Sequence, residues 1–200
     1  MRDLGKKVGA AACLGLVGVV WLTTPAAAQG TNAKLAAGEV IMTTQAVAGL
    51  DIPRVVATAV IKAAPEKVWA LIEKCDDYEK TMVNMKFAQE LSRDGNKVRC
   101  KTTVDLPWPM DDLTAVSDAV HVEDPGKMYS RTWKMVSGDF DFNYGSWKLT
   151  PFNGDANQTL VVYTVHVKPK SAVPDSLKSY AQQNALPDLF EHLRKQLEGK

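Results

Sequence analysis

The chain has 200 residues, of which 46% are hydrophobic and 24% are charged, and its formal net charge is +1. These values fit one globular domain with a short additional segment, and they leave no basic field for nucleic-acid binding. The sequence contains no P-loop, no GxGxxG and no cluster of His and Cys with metal-ligand spacing. It therefore predicts neither a metal site nor a cofactor.

The first 28 residues have the pattern of a secretory signal peptide. Arg2, Lys6 and Lys7 precede the apolar stretch Val8–Leu22, and an Ala-x-Ala site ends at Ala28. We expect cleavage after Ala28 and export to the periplasm or the medium. The alternative is an uncleaved membrane anchor, although a membrane-spanning helix needs about 20 apolar residues.

Two cysteines, Cys75 and Cys100, remain after such cleavage. An oxidising compartment permits them to pair, and a bridge over this separation stabilises a protein by about 3 kcal/mol. Cys75 is predicted on a helix and Cys100 on a strand, and sequence alone does not show that they approach each other. A disulfide and two buried free thiols both stay open.

Residues 29–50 are rich in Ala, Thr and Gly and lack sustained periodicity. We expect a loosely ordered leader there, with one short strand at Glu39–Thr44. The domain begins at residue 51, and Ile52–Ile61 is β-branched, which predicts a strand. Pro65 and Glu66 then suit the first turn of a short helix. A second short helical turn is predicted from Tyr78 to Met82.

Six further segments have strand-like composition and are separated by turn-forming residues. Because the connections are short, the sheet is predicted to be antiparallel and the layout α+β. The segments are Met85–Leu91, Lys97–Val104, Leu113–Val122, Met128–Val136, Phe142–Thr150 and Thr159–Val167.

The last stretch, Ser171–Lys200, predicts a long amphipathic helix that starts near Pro174. Its apolar residues recur at spacings of three and four, and Pro187 inside the pattern predicts a kink or a break. A long one-sided helix needs an apolar surface to lie on, and here that surface is the sheet. The apolar residues are Leu186, Leu189, Phe190, Leu193 and Leu197.

This order of elements resembles the helix-grip fold of START lipid-transfer domains and of the bacterial polyketide cyclase/dehydrase group. Four segments carry the likeness, which covers about residues 52–198. Two positions depart from the START pattern, because Asp112 replaces an Arg and Lys168 replaces an Asp. The segments are Ala64–Ile72 (similar to "aP.e.Vw.li"), Leu106–Leu113 ("PwP...RDf"), Gly145–Pro151 ("GgW...P") and Lys168–Pro174 ("DPkG.iP").

The resemblance implies a START-like domain at residues 51–200. Its expected fold is a curved antiparallel sheet of about six to seven strands, a pair of short helices after the first strand, and a long C-terminal helix over a cavity. It also implies that the cavity holds a small hydrophobic ligand, such as a lipid, a sterol-like molecule or an aromatic compound.

Alternation along strands identifies candidate cavity residues. Tyr129, Arg131 and Trp133 share one face of their strand, but the inward face is not fixed by alternation. Arg131 can bind a ligand carboxylate or phosphate or engage a ring, whereas the alternative is a solvated outer-face Arg. His121 and His166 are expected on neighbouring strands. The candidates are Arg131, Trp133, Tyr129, His121, Ser117, Trp108, Trp147, Tyr163 and Phe190.

The sequence thus favours an exported binding or transfer protein for a small hydrophobic ligand, with transient membrane contact during ligand exchange. Trp108, between two prolines, is either a rim residue or packed on the core. The alternative function is a polyketide cyclase/aromatase-type enzyme that uses Arg131, His121 and Tyr163. In that family the substrates ride on a cytoplasmic carrier, so export favours binding.

Overall fold

The computed structural model describes residues 26–171 and 185–198, with side chains from residue 29 onward. Most of the predicted signal peptide, and the predicted start of the last helix near Pro174, lie outside the described residues. The elements in chain order are α1 (Ala26–Ala36), β1 (Ile41–Val47), β2 (Leu50–Ile61), α2 (Pro65–Trp69), a 3-10 turn (Cys75–Asp77), α3 (Tyr78–Thr81), β3 (Met85–Asp94), β4 (Lys97–Val104), β5 (Leu113–Asp124), β6 (Met128–Gly138), β7 (Phe140–Phe152), β8 (Asp155–Pro169) and α4 (Leu186–Glu198).

The eight strands form one antiparallel sheet in the order β1-β2-β8-β7-β6-β5-β4-β3. The predicted α+β helix-grip architecture is confirmed, with one strand more than expected. The additional strand is β1, which pairs with β2 from Ile41↔Thr58 to Val47↔Leu50. Three of its seven residues are polar and four are exposed, so its pattern does not alternate between a buried and a polar face.

Residues 29–50 contain most of α1 and all of β1, so they are more ordered than the expected loose leader, and the short strand expected at Glu39–Thr44 overlaps β1. Leu35 of α1 is 3% exposed and packs on Val60 and Phe152. Val60 alternates with the core residues Ala59 and Ile61, so α1 covers the outer face of the sheet. Leu35 is the one buried residue among the described side chains of α1, and one apolar residue produces no periodicity.

Short turns set the register of the hairpins. The β7–β8 turn places Asn153 and Gly154 at φ values of 51° and 80°. Two successive positive φ values are typical of a type I′ turn, whose twist matches that of paired strands. Strand β8 therefore starts at Asp155, four residues earlier than predicted, and continues to Pro169.

The inner face of the sheet packs against α2 and α4 in the main core. Phe190 and Leu193 of α4 are fully buried, as the amphipathic pattern predicts. Polar contacts fix the helix in place: the Arg194 guanidinium donates to the Val60 carbonyl at 2.9 Å, and the Lys62 amide donates to Glu198 at 2.8 Å. Pro187 lies in the first turn of α4, where proline is tolerated, and the predicted break stays a prediction because residues 172–184 lie outside the described part of the chain.

Cys75 and Cys100 form a disulfide, with their Cα atoms 6.2 Å apart. Both residues are buried, and the bond joins the 3-10 turn to β4. Among the described residues, no helix is long and apolar enough to span a bilayer.

Candidate ligand-binding cavity

A cavity of about 1290 Å³ lies between the inner face of the sheet, α3 and the start of α4. Its volume exceeds the range of about 300–1,000 Å³ that is usual for small-molecule sites. Most of the described lining side chains are apolar, among them Val55, Met82, Val165 and Leu189. The space is therefore suited to a ligand of lipid size with a largely apolar surface.

Strand pairing shows how deep each lining residue lies. The register aligns Ala57 with Tyr163, Tyr163 with Trp147, Trp147 with Arg131, and Arg131 with His121. These five residues form one row across the inner face of five strands, which we call the floor row. Tyr163, Trp147 and Arg131 of this row line the cavity.

The next row away from the mouth is packed solid. It consists of Ala59, Val161, Leu149 and Tyr129, all buried in the main core. The Trp69 ring of α2 stacks on Tyr129 with a centroid distance of 5.7 Å. Because α2 covers this row, the cavity ends at the floor row.

The opposite end of the cavity is its mouth, where strands β4 and β8 end and β2 and β7 begin. Leu106 and Pro107 line it, and the neighbouring Trp108 is 92% exposed. The predicted rim position of Trp108 thus agrees with its placement. Its side chain is directed to solvent and does not fill the core.

Arg131 is 4% exposed and lies on the inner face, so the outer-face alternative does not apply. Its Nη1 donates a hydrogen bond of 2.6 Å to Nε2 of His121, and its guanidinium lies 5.5 Å from the centroid of the Tyr78 ring. Within residues 26–171 and 185–198, no carboxylate forms an ion pair with it.

His121 is a neutral partner of this arginine. Arginine has no acceptor atom, so Nε2 of His121 accepts and its proton resides on Nδ1. Burial first, and then the charges of Arg131 and Arg93, lower the pKa of His121 to about 4, with Glu90 acting in the opposite direction. Nδ1 is buried without a partner in the described part of the chain, and the ring meets Trp69 edge-on at 5.0 Å.

Three aromatic residues form one wall of the cavity. Tyr163 lies between Trp147 and Trp133, with centroid distances of 4.3 and 5.8 Å. Gly145 admits the Trp133 ring, because a Cβ at that position would overlap both the indole and the Thr164 carbonyl. Trp133 Nε1 donates to the Asn143 side chain at 3.0 Å. Burial raises the pKa of the Tyr163 hydroxyl, which keeps it protonated.

The sequence candidates divide into three groups. Arg131, Trp133, Ser117, Trp147 and Tyr163 line the cavity. Tyr129, His121 and Phe190 are buried in the packed layers around it, and Trp108 lies at the mouth. His121 and His166 are on β5 and β8, which are separated by β6 and β7, so their expected adjacency is wrong. His166 instead contacts Tyr144 and the Ile52 carbonyl.

Tyr78 and Asn143 are two of the cavity residues that were missed as candidates. Tyr78 faces the Arg131 guanidinium from α3, and its hydroxyl donates to the Ile72 carbonyl at 2.6 Å. No sequence signal places this short helix over β6. Asn143 lines the cavity beside Trp133. Its alternation with Gly145 and Trp147 was the available signal.

A sequence model of the family described as "Polyketide cyclase / dehydrase and lipid transport" matches residues 61–194. No curated protein matches the sequence at a significant level. The fold resembles that of a STAR-related lipid transfer protein from Xanthomonas axonopodis, with 18% identity, 78% of this chain and 93% of that chain covered, and a TM-score of 0.64.

Two further solved structures are similar. Human StAR-related lipid transfer protein 5 has 10% identity, 86% and 97% coverage of the two chains, and a TM-score of 0.64. The Zhui aromatase/cyclase from a Streptomyces species has 17% identity, 72% and 93% coverage, and a TM-score of 0.57. At these identities the likeness establishes a shared fold.

Proposed function

The chain belongs to the polyketide cyclase / dehydrase and lipid transport family, and from this membership we propose that it binds or transfers a small hydrophobic ligand. The observation that carries the proposal is the cavity of about 1290 Å³, open at one end and lined mainly by apolar side chains. Burying a ligand's apolar surface there is favourable by about 25 cal/mol per Å².

The shape of the lining supports a lipid, a sterol-like molecule or an aromatic compound as the ligand class. Aliphatic residues such as Val55 of β2 and Leu189 of α4 line the cavity together with the aromatic wall of Trp133, Trp147 and Tyr163. Rings accommodate both flat ligands and alkyl chains, since they present large rigid apolar faces.

Export through a signal peptide cleaved after Ala28 is part of the proposal. The Cys75–Cys100 disulfide supports it, because structural disulfides persist in oxidising compartments and are rare in the cytosol. Intact-mass measurement of the protein from the periplasmic and membrane fractions of its host tests both expectations. A chain retained in the membrane with residues 1–28 attached would support the anchor alternative.

Ligand exchange at a membrane surface is also proposed. Trp108 is 92% exposed at the cavity mouth, and indole rings favour the interface between water and lipid. The adjacent Leu106 and Pro107 continue from this exposed ring into the cavity. These apolar residues would offer a ligand a path from the bilayer into the cavity.

The second candidate function is that of a cyclase/aromatase-type enzyme. One observation favours it: the floor row places Arg131 beside Trp147 and Tyr163, where its guanidinium would face a bound aromatic chain, and His121 accepts a hydrogen bond from Arg131 in the layer next to the cavity. Such groups orient a substrate and stabilise developing negative charge. Recovery of a bound molecule chemically different from the one supplied distinguishes catalysis from carriage.

The test is to express the protein in its host, extract it with organic solvent and identify bound molecules by mass spectrometry. A Thr102→Phe variant fills the cavity, since Thr102 lines it. Thr132→Phe is the matched control, because Thr132 is exposed on β6. We expect an apolar molecule with the wild type and with Thr132→Phe, and its loss with Thr102→Phe. Repeated recovery of protein without any bound molecule would contradict the proposal.

A further inference from the structure

Arg131 is a buried cation at the closed end of an apolar cavity, and this position requires an explanation. Arg131 is 4% exposed, and its guanidinium carries five N–H groups and a permanent positive charge. His121 accepts from one of them. In the described ranges, no other hydrogen-bond partner of the guanidinium is found. A buried charge without a counter-charge is costly unless something compensates it.

The neighbours of Arg131 provide only weak compensation. His121 is neutral, and the face of Tyr78 offers the partial negative charge of a ring at 5.5 Å. The charged side chains at the mouth lie several residues along the strands from the row of Arg131, and some of them have partners of their own. Lys168 forms an ion pair of 3.0 Å with Asp141, and Lys170 donates to the Gly138 carbonyl at 2.9 Å.

From these contacts we propose that the ligand is an amphiphile with one singly charged anionic head, a carboxylate in the simplest case, which enters the cavity head first and binds Arg131 at the floor. The proposal rests on the proposed function and assigns the polar end of its ligand. The apolar tail then runs from the floor row past Trp133 and Val165 to the mouth.

Charge balance selects the singly charged head. Arg131 is the single charged residue among the described side chains that line the cavity at its floor. One carboxylate matches this charge and accepts two parallel hydrogen bonds from the guanidinium. A phosphate monoester carries nearly two negative charges at neutral pH and would leave one of them buried without a partner.

The row geometry selects the direction of entry. Arg131 lies in the last row that lines the cavity, and the row behind it is closed by Trp69. A ligand that entered tail first would leave its head in the mouth and Arg131 without a counter-charge. Entry head first satisfies the guanidinium and places the tail on the apolar wall.

The experiment compares parinaric acid with its methyl ester by their own fluorescence, with palmitate and hexadecyl phosphate as competitors. We expect the acid to bind at least about tenfold more tightly than the ester, which is the usual effect of a hydrogen bond to a charged group. We also expect palmitate to compete better than hexadecyl phosphate. Equal binding of acid and ester, or stronger competition by the phosphate, would overturn the inference.

A pair of variants assigns the preference to one residue. Arg131→Gln should reduce the acid-to-ester ratio to about one through loss of the charged hydrogen bonds, while the ester still binds. Arg99→Gln is the control, because Arg99 pairs with Asp118 on the exposed side of β4. It should keep the wild-type ratio. An unchanged ratio in Arg131→Gln would also overturn the inference.

Nile red, a neutral apolar dye, distinguishes failure of the anionic anchor from failure of the hydrophobic cavity function. If the wild type binds Nile red and the ester as well as the acid, the hydrophobic cavity function holds and the anionic anchor fails. If it binds none of the probes, the proposed function itself fails and the anchor fails with it. The comparison within the wild type needs no variant, so it stands even if Arg131→Gln does not fold.

Discussion

The guanidinium of Arg131 and the imidazole of His121 belong to buried residues on neighbouring strands and lie 2.6 Å apart, measured from Nη1 to Nε2. This contact requires His121 to be neutral, because protonated Nε2 would present a donor to a donor. The pair therefore links the stability of the fold to the protonation of one histidine.

The first prediction concerns the dependence of stability on pH. The pKa of His121 is about 4 in the folded chain and about 6.5 when unfolded, so the unfolded state takes up the proton first as pH falls. The contribution of neutral His121 to the free energy of unfolding is fully present above pH about 6.5, and it is lost as pH falls from that value to about 4. The loss amounts to roughly 3 kcal/mol in total, and urea unfolding across this range measures it.

The control for this prediction is His121→Gln, whose amide oxygen can accept from Arg131 without titrating. Its free energy of unfolding should change less than that of the wild type between pH about 7 and about 5. Parallel curves for the two proteins would contradict the assignment to His121. Carboxylates with lowered pKa, such as Asp118 beside Arg99, lose their contribution at lower pH in both proteins.

The second prediction concerns the disulfide. Removing it by Cys75→Ala with Cys100→Ala should lower the free energy of unfolding by about 3 kcal/mol, because the bridge closes a loop of 25 residues. Cys100 also lines the cavity, and Tyr78 and Met82 follow the 3-10 turn that it holds. We therefore expect weaker ligand binding as well.

Reductant provides the matched measurement for the disulfide. It should destabilise the wild type and leave the doubly substituted variant unchanged. Intact mass with and without reductant should differ by two hydrogens. A wild type whose mass and unfolding midpoint are both insensitive to reductant would mean that the thiols are free in solution.

The third prediction concerns the mouth. Trp108→Ala should leave the unfolding midpoint nearly unchanged, since the side chain is 92% exposed. It should slow ligand transfer from vesicles several-fold, because the indole no longer anchors the mouth at the bilayer surface. Leu91→Ala is the control, since Leu91 is 46% exposed on the edge strand β3. Equal transfer rates for all three proteins would contradict a docking role.

The fourth prediction concerns the leader. Leu35→Ala should destabilise the fold by about 2 kcal/mol or more, the usual cost of truncating a buried leucine. Lys34→Ala on the same helix should have little effect, because Lys34 is exposed. Thermal unfolding of the two variants decides it. A neutral Leu35→Ala would contradict the stabilising role of this buried side chain.

Most of the sheet was predictable because β-branched segments alternate with turn residues of defined geometry. Even the Arg131–His121 contact was accessible in principle: a short turn pairs Asp124 with Met128, and counting back along both strands reaches this pair. Which face of each strand points inward could not be predicted from the sequence. It is set by α2, whose Trp69 packs on Tyr129 and His121 from one side.

The parts that sequence reasoning missed depend on single contacts between distant segments. Leu35 docks on Val60 and Phe152, and Tyr78 reaches Arg131 from a helix of four residues. Neither contact has a period, a motif or a turn signal. Such contacts depend on surfaces that form only when distant segments come together, so local sequence patterns do not predict them.

The sheet is open, since β1 and β3 are its two outer strands and do not pair with each other. In a closed barrel, strand number and stagger fix the internal diameter. Here the width of the cavity depends instead on the distance between α4 and the strands. Substitutions at Leu186 and Leu189, which line the cavity from α4, can therefore change the size of ligand that fits while every interstrand hydrogen bond stays in place.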